Sequence, residues 1–132
     1  MTDRETIFDY RMRQTEETFS EAVRMLESGF SPRSIVNRSY YAMFYAVLAL
    51  FIHFNTPHNT SKHSGVIGIF NKAFIHTGKL DVRFAQMLYG LFDQRMESDY
   101  RDFAEVSEED ARNAVLAAQK FVTAIKALTK YI

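Results

Sequence analysis

A chain of 132 residues that is 47% hydrophobic can bury one compact core, and the expectation is a single domain spanning residues 1–132. Sixteen basic side chains balance sixteen acidic ones, so no global field draws the chain to nucleic acid or an anionic membrane, and any such partner must be met by a local patch. Cysteine is absent, which excludes disulfides, thiolate metal sites and cysteine nucleophiles.

The N-terminal run from Met1 to Thr6 is charged from the start and lacks the basic-then-apolar order of a secretory signal. A cytoplasmic protein is expected. The first helix begins near Thr2 or Asp3, where Thr2 and Glu5 have capping-box spacing, and Phe8, Met12, Thr15, Phe19, Ala22, Val23 and Leu26 make one stripe along it. Its opposite face, with Arg11, Arg13, Glu16, Glu17, Glu21 and Arg24, reads as a solvated charged surface. Gly29 is placed to end this helix, and Ser31 with Pro32 to start the next.

The second helix, about Pro32 to Phe54, carries Arg38 ahead of a run from Ser39 to Ile52 with no charged side chain. Such a helix belongs in the middle of a bundle, and the uncharged run itself is shorter than the roughly 20 residues of a membrane span. A loop follows from Asn55, then a short helix from about Lys62 to His76 with Val66, Ile67, Phe70 and Phe74 inward, stopped by Gly78. Asp81 can cap the fourth helix, whose stripe is Phe84, Met87, Leu88, Leu91, Phe92, Arg95 and Asp99. Ser107 to Asp110 starts the last, with Ala111, Ala114, Val115, Ala118, Phe121, Val122, Ile125 and Leu128 as its apolar face. The fold expected is all-α, an up-and-down bundle of about four main helices plus one short helix.

Arg38 asks for a partner, because a guanidinium buried beside an apolar helix is costly unless paired. Arg95 and Asp99 are i and i+4 on one helix face, with Glu97 and Tyr100 beside them. One reading is a structural polar network of Arg38, Tyr41, Arg95 and Asp99, with the Tyr40 or Tyr41 hydroxyl completing the bonds. The other is a phosphate site at Arg95 with Asp99 orienting the guanidinium, and with Arg95, Asp99 and Tyr100 as the candidate catalytic set. Lys62, His63 and Ser64 stand where the loop gives way to the short helix, so they could form an anion-binding corner, or His63 or Ser61 could simply cap the helix while Lys62 points to solvent. The ligand-binding candidates are therefore Arg38, Lys62, His63 and Arg95. The four histidines, at 53, 58, 63 and 76, have no metal-ligand spacing, so neither a metal nor another cofactor is expected. Gly65 and Gly68 are read as packing glycines and not as a phosphate loop.

Taken in order, Arg38-Ser-Tyr-Tyr-Ala-Met-Phe, Ser61-Lys-His63-Ser-Gly-Val and Arg95-Met-Glu-Ser-Asp99-Tyr100 resemble the HEPN domain family, in its small stand-alone prokaryotic branch, over nearly the whole chain. The resemblance implies a helical bundle that often dimerises and is frequently paired with a minimal nucleotidyltransferase as toxin and antitoxin; many relatives are metal-independent ribonucleases. Their signature is an arginine followed after four to six residues by a histidine. Here the arginine is Arg95, while the matching positions hold Tyr100, Arg101 and Asp102, and no histidine follows His76. Some relatives also carry a tyrosine that the partner enzyme adenylylates, which Tyr100 matches loosely. Three functions stay open: a HEPN partner of a nucleotidyltransferase, forming a homodimer and binding RNA or nucleotide; a ribonuclease with a non-standard site around Arg95; and a noncatalytic interaction module. No membrane partner is expected.

Overall fold

The computed structural model describes residues 2–100 and 105–132, and the side chains within them other than those of 97–100. Five α-helices follow one another: α1 (Asp3–Glu27), α2 (Pro32–His53), α3 (His63–Phe70), α4 (Val82–Tyr100) and α5 (Glu108–Thr129). Among the described residues there is no strand, and the all-α bundle is the one expected.

Local chemistry sets the boundaries. Thr2 Oγ1 accepts the Glu5 N–H at 3.1 Å, Ser31 Oγ accepts the Ser34 N–H at 3.2 Å, and Asp81 accepts the Arg83 N–H at 2.9 Å. Ser107 and Asp110 form a full capping box, each side chain accepting the other's backbone N–H at 3.0 Å. Each of these bonds satisfies a donor that a helix start leaves without an intrahelical acceptor. α1 ends at Gly29, whose φ of 73° lets the Phe30 N–H turn back to the Met25 carbonyl at 3.0 Å.

α2 is the central element and packs against α1, α4 and α5. Ala42, Ala46 and Ala49 on it are fully buried, small enough for its neighbours to approach, while Met43, Val47, Leu50 and Phe51 fill the space between them. At 22 residues α2 is long and apolar enough to cross a membrane, which the uncharged run from Ser39 to Ile52 understated because the helix also takes in Pro32 to Arg38 and His53; yet 67% of its apolar window is buried among the other helices. The four residues expected inward on the short helix, Val66, Ile67, Phe70 and Phe74, are all buried. That helix does not stay α throughout. Residues Asn71–Ile75 form a π-helical turn, with the His76 N–H reaching the Asn71 carbonyl at 2.9 Å, and Phe70 and Phe74 stack across it at 6.1 Å. Gly65 and Gly68 differ: a Cβ on Gly65 would stand 2.6 Å from Thr60 Cγ2, so the loop closes onto α3 there, whereas Gly68 has open space. Only Gly65 is a packing glycine.

Candidate functional site

α2 presents Tyr40, Tyr41 and Phe44 at i, i+1 and i+4, α3 begins at His63, and α4 brings Phe92 and Arg95 one turn apart. These three elements meet. The Tyr40 hydroxyl lies 2.7 Å from His63 Nδ1, the imidazole stacks on the Phe44 ring at 4.0 Å and 11°, and Tyr41 meets it edge-on at 5.6 Å. The Arg95 guanidinium lies 5.1 Å from the centre of the Tyr41 ring and 5.6 Å from that of Tyr40, and the Phe92 ring is 5.9 Å from Tyr40. Ring faces carry negative charge, so the cation is held by the same two tyrosines that enclose the imidazole.

Tyr40 is fully buried, and burial pushes its hydroxyl well above its ordinary range although the Arg95 cation pulls the other way, so it stays protonated. Burial, and after it the nearby Arg95, lower the His63 pKa, so the imidazole is neutral near pH 7. The unfolded chain therefore takes up this proton first as pH falls. His63 contributes stability fully above about 6.5, its ordinary value, and that contribution is lost as pH falls from there through the folded value. Thermal melts of the wild type and of His63→Gln across this window should show a steeper acid-side fall in the wild type; parallel curves would remove the effect.

Several expected placements change. Lys62 and His63 diverge at the start of α3: Lys62 is exposed, while His63 turns its Nδ1 inward to the Tyr40 hydroxyl. Neither His63 nor Ser61 caps α3, whose N-cap is Lys62 without a side-chain bond; the Thr60 hydroxyl accepts the Lys62 N–H instead. Arg38 is half-buried on a different flank, lining a hollow with Glu21, Arg24, Met25, Ser28 and Phe30, and makes no ion pair or hydrogen bond among the described residues. No described contact joins it to Arg95. Tyr41 belongs to the cluster through ring contacts, and the Tyr40 hydroxyl goes to His63 and not to an arginine. The expectations for the Asp99 and Tyr100 side chains lie outside the described residues. Phe44 was not anticipated as a site residue; inside an unbroken apolar run it carries no signal of its own.

A family model described as the HEPN domain matches residues 8–128. The chain belongs to the HEPN family. A UPF0332 protein of Thermotoga maritima is 34% identical over 128 residues, covering 97% of this chain and 95% of that one. Two Methanocaldococcus jannaschii proteins named as candidate toxins are also similar. One is 32% identical over 117 residues, 89% of this chain and 84% of its own length. The other is 40% identical over 76 residues, 58% of this chain and 50% of its own length.

In this HEPN chain Arg95 has no histidine after it on α4, yet it has one in space, supplied by α3 at His63 and linked to it through Tyr40 and Tyr41. Among the described residues, the Arg95 cation, the neutral His63 imidazole and the start of α3, which has no side-chain cap, meet at one corner. Chemically, such a corner suits a phosphate group.

Proposed function

We propose that this HEPN chain is the toxin-type member of a two-component module and acts on RNA, as a metal-independent ribonuclease, at the corner formed by Arg95 and His63. The observation that carries the reading is the convergence of these two residues on Tyr40 and Tyr41, from helices whose linear spacing gave no such pair. An arginine at an attacked phosphate stabilises the charge that develops on its oxygens, which is worth most where water is partly excluded, as it is between these rings. The naming of two relatives as candidate toxins supports a toxin role. A minimal nucleotidyltransferase is the partner proposed, and a cytoplasmic setting follows from an RNA substrate. A homodimer is proposed through α4, the helix that carries Arg95, where Tyr89 and Met96 are 58% and 39% exposed.

The test is incubation of the purified protein with mixed-sequence RNA in chelator, on material whose mass has been read by light scattering. Cleavage is expected, from a dimer. An intact RNA, together with no mono- or dinucleotide binding at millimolar concentration by calorimetry, would overturn the RNA reading and leave a noncatalytic interaction module. Co-purification with a co-expressed neighbouring nucleotidyltransferase tests the partner, and elution as two separate species would count against it.

A further inference from the structure

We infer that Tyr40 is a positioning residue that holds His63 in its Nε2–H tautomer, so that His63 meets an RNA phosphate as a neutral hydrogen-bond donor beside Arg95 and does not act as the base. This assignment rests on the proposed RNA reading for its ligand, but its physical basis is separate.

The bond accounting decides the tautomer. Tyr40 is wholly buried, and among the described residues its hydroxyl has one hydrogen-bond partner, His63 Nδ1 at 2.7 Å. Were Nδ1 to carry the proton and donate it, the Tyr40 hydrogen would be left in the core without an acceptor, at a cost of about 1–3 kcal/mol. With Tyr40 donating, both its hydrogen and the Nδ1 lone pair are satisfied, and the single imidazole proton sits on Nε2. Nε2 has no hydrogen-bond partner among the described residues and is not among the buried orphaned atoms, so it is left for solvent or ligand. Phe44 stacked at 4.0 Å and Tyr41 edge-on at 5.6 Å fix the plane of the ring, which fixes the direction of that N–H.

Conversion to the imidazolium is disfavoured by the same surroundings. It would turn Nδ1 into a donor facing the Tyr40 hydroxyl, within a cluster that already holds the Arg95 charge. Among the described residues, the groups that face His63 from the packed elements are Tyr40 and Tyr41 of α2 and Arg95 of α4, and none of these is an anion at neutral pH. A neutral histidine that polarises its substrate through one fixed N–H is an established way to stabilise an oxyanion without moving a proton. One cation and one neutral donor match the single negative charge of a phosphodiester.

Nitrogen-15 spectra of the imidazoles in the full-length protein, above the titration range of His63, test the assignment. The wild type should show Nδ1 unprotonated and Nε2 protonated, and Tyr40→Phe, with its fold checked by melting, should show the two tautomers mixing. A non-cleavable 2′-deoxy dinucleotide should move the Nε2 resonance in the wild type. In the RNA assay His63→Gln, which keeps an N–H but cannot take a proton, should retain cleavage within about tenfold, where loss of a general base costs about 10²–10⁴-fold. A proton on Nδ1 in the wild type overturns the inference, and so, where the wild type cleaves RNA, does a His63→Gln protein as inactive as His63→Ala. The expected tautomer with a dinucleotide-induced shift, from a wild type that cleaves no RNA, supports the inference and overturns the ribonuclease reading alone.

Discussion

Arg95→Ala should lower the rate of RNA cleavage by about 10²–10³-fold while leaving the protein folded, the range typical of removing one preorganised donor from a developing oxyanion. The two effects separate because the guanidinium does two unequal jobs. In the folded protein it rests on the Tyr40 and Tyr41 rings at 5.6 and 5.1 Å, and the loss of these ring contacts is worth about 0.5–2 kcal/mol, a melting temperature lower by several degrees. In the reaction it would face charge that grows on the phosphate oxygens, and its planar fork can engage two of them together. Arg95→Lys should therefore fall between the wild type and alanine, keeping the charge and losing the fork. The substitution also carries a built-in second readout. Arg95 is one of the two causes lowering the His63 pKa, so removing it should let His63 titrate higher in the same protein. An Arg95→Ala protein that cleaves at the wild-type rate, with His63 visibly shifted, would show that the arginine is present in the corner without taking part in the reaction.

The helix boundaries were legible because their causes are local. Thr2, Ser31, Asp81 and Ser107 each bond a backbone N–H two or three residues away, and Gly29 and Gly78 take up φ of 73° and 78° within a single turn. The apolar stripes were legible for the same reason, with Met12 and Ala22 of α1, Leu88 and Leu91 of α4 and seven residues from Ala111 to Ile125 of α5 buried as their spacing implied. The stripe misplaced the end of α5, where Thr129 is buried and Leu128 only partly so. The threonine hydroxyl returns its hydrogen to the Ile125 carbonyl at 2.8 Å, so a polar residue enters the core already satisfied. The site was half legible. Arg95 and His63 stood out as polar residues in aromatic surroundings, but their meeting depends on Tyr40, 23 residues before His63, and on where α4 comes to lie. No periodicity encodes that separation. Arg38 shows the opposite error, since its charge in a hydrophobic block suggested burial, and its position near the start of α2 gave it an open flank instead.

Phe121→Ala should cost about 3–5 kcal/mol of stability, read as a lower urea midpoint at unchanged slope. Phe121 is fully buried on α5, 5.7 Å from the Phe70 ring and edge-on to Phe84 at 6.2 Å, so one side chain ties α5 to the end of α3 and to α4. Cutting it to a methyl group removes both ring contacts and opens a cavity lined by residues of three helices, which the backbone of a bundle cannot close by a small shift. Against a total of about 5–15 kcal/mol for a domain of this kind, the loss is a large share of what holds the fold together. An ion pair at the same helix gives the scale. Lys126 and Glu16 stand 2.9 Å apart with side chains 33% and 41% exposed, and Lys126→Ala should cost only about 0.2–1 kcal/mol because water and salt screen the pair. Phe121→Leu, which keeps most of the volume, should lie nearer the lysine variant than the alanine one. A Phe121→Ala midpoint within experimental error of the Lys126→Ala midpoint would mean that α5 is not anchored through this contact. The consequence reaches the corner at His63, because Phe84 lies on the helix that carries Arg95. RNA cleavage by Phe121→Ala should fall only in proportion to its folded fraction, whereas Arg95→Ala should lose it while fully folded, and that contrast separates holding α4 in place from acting on the phosphate.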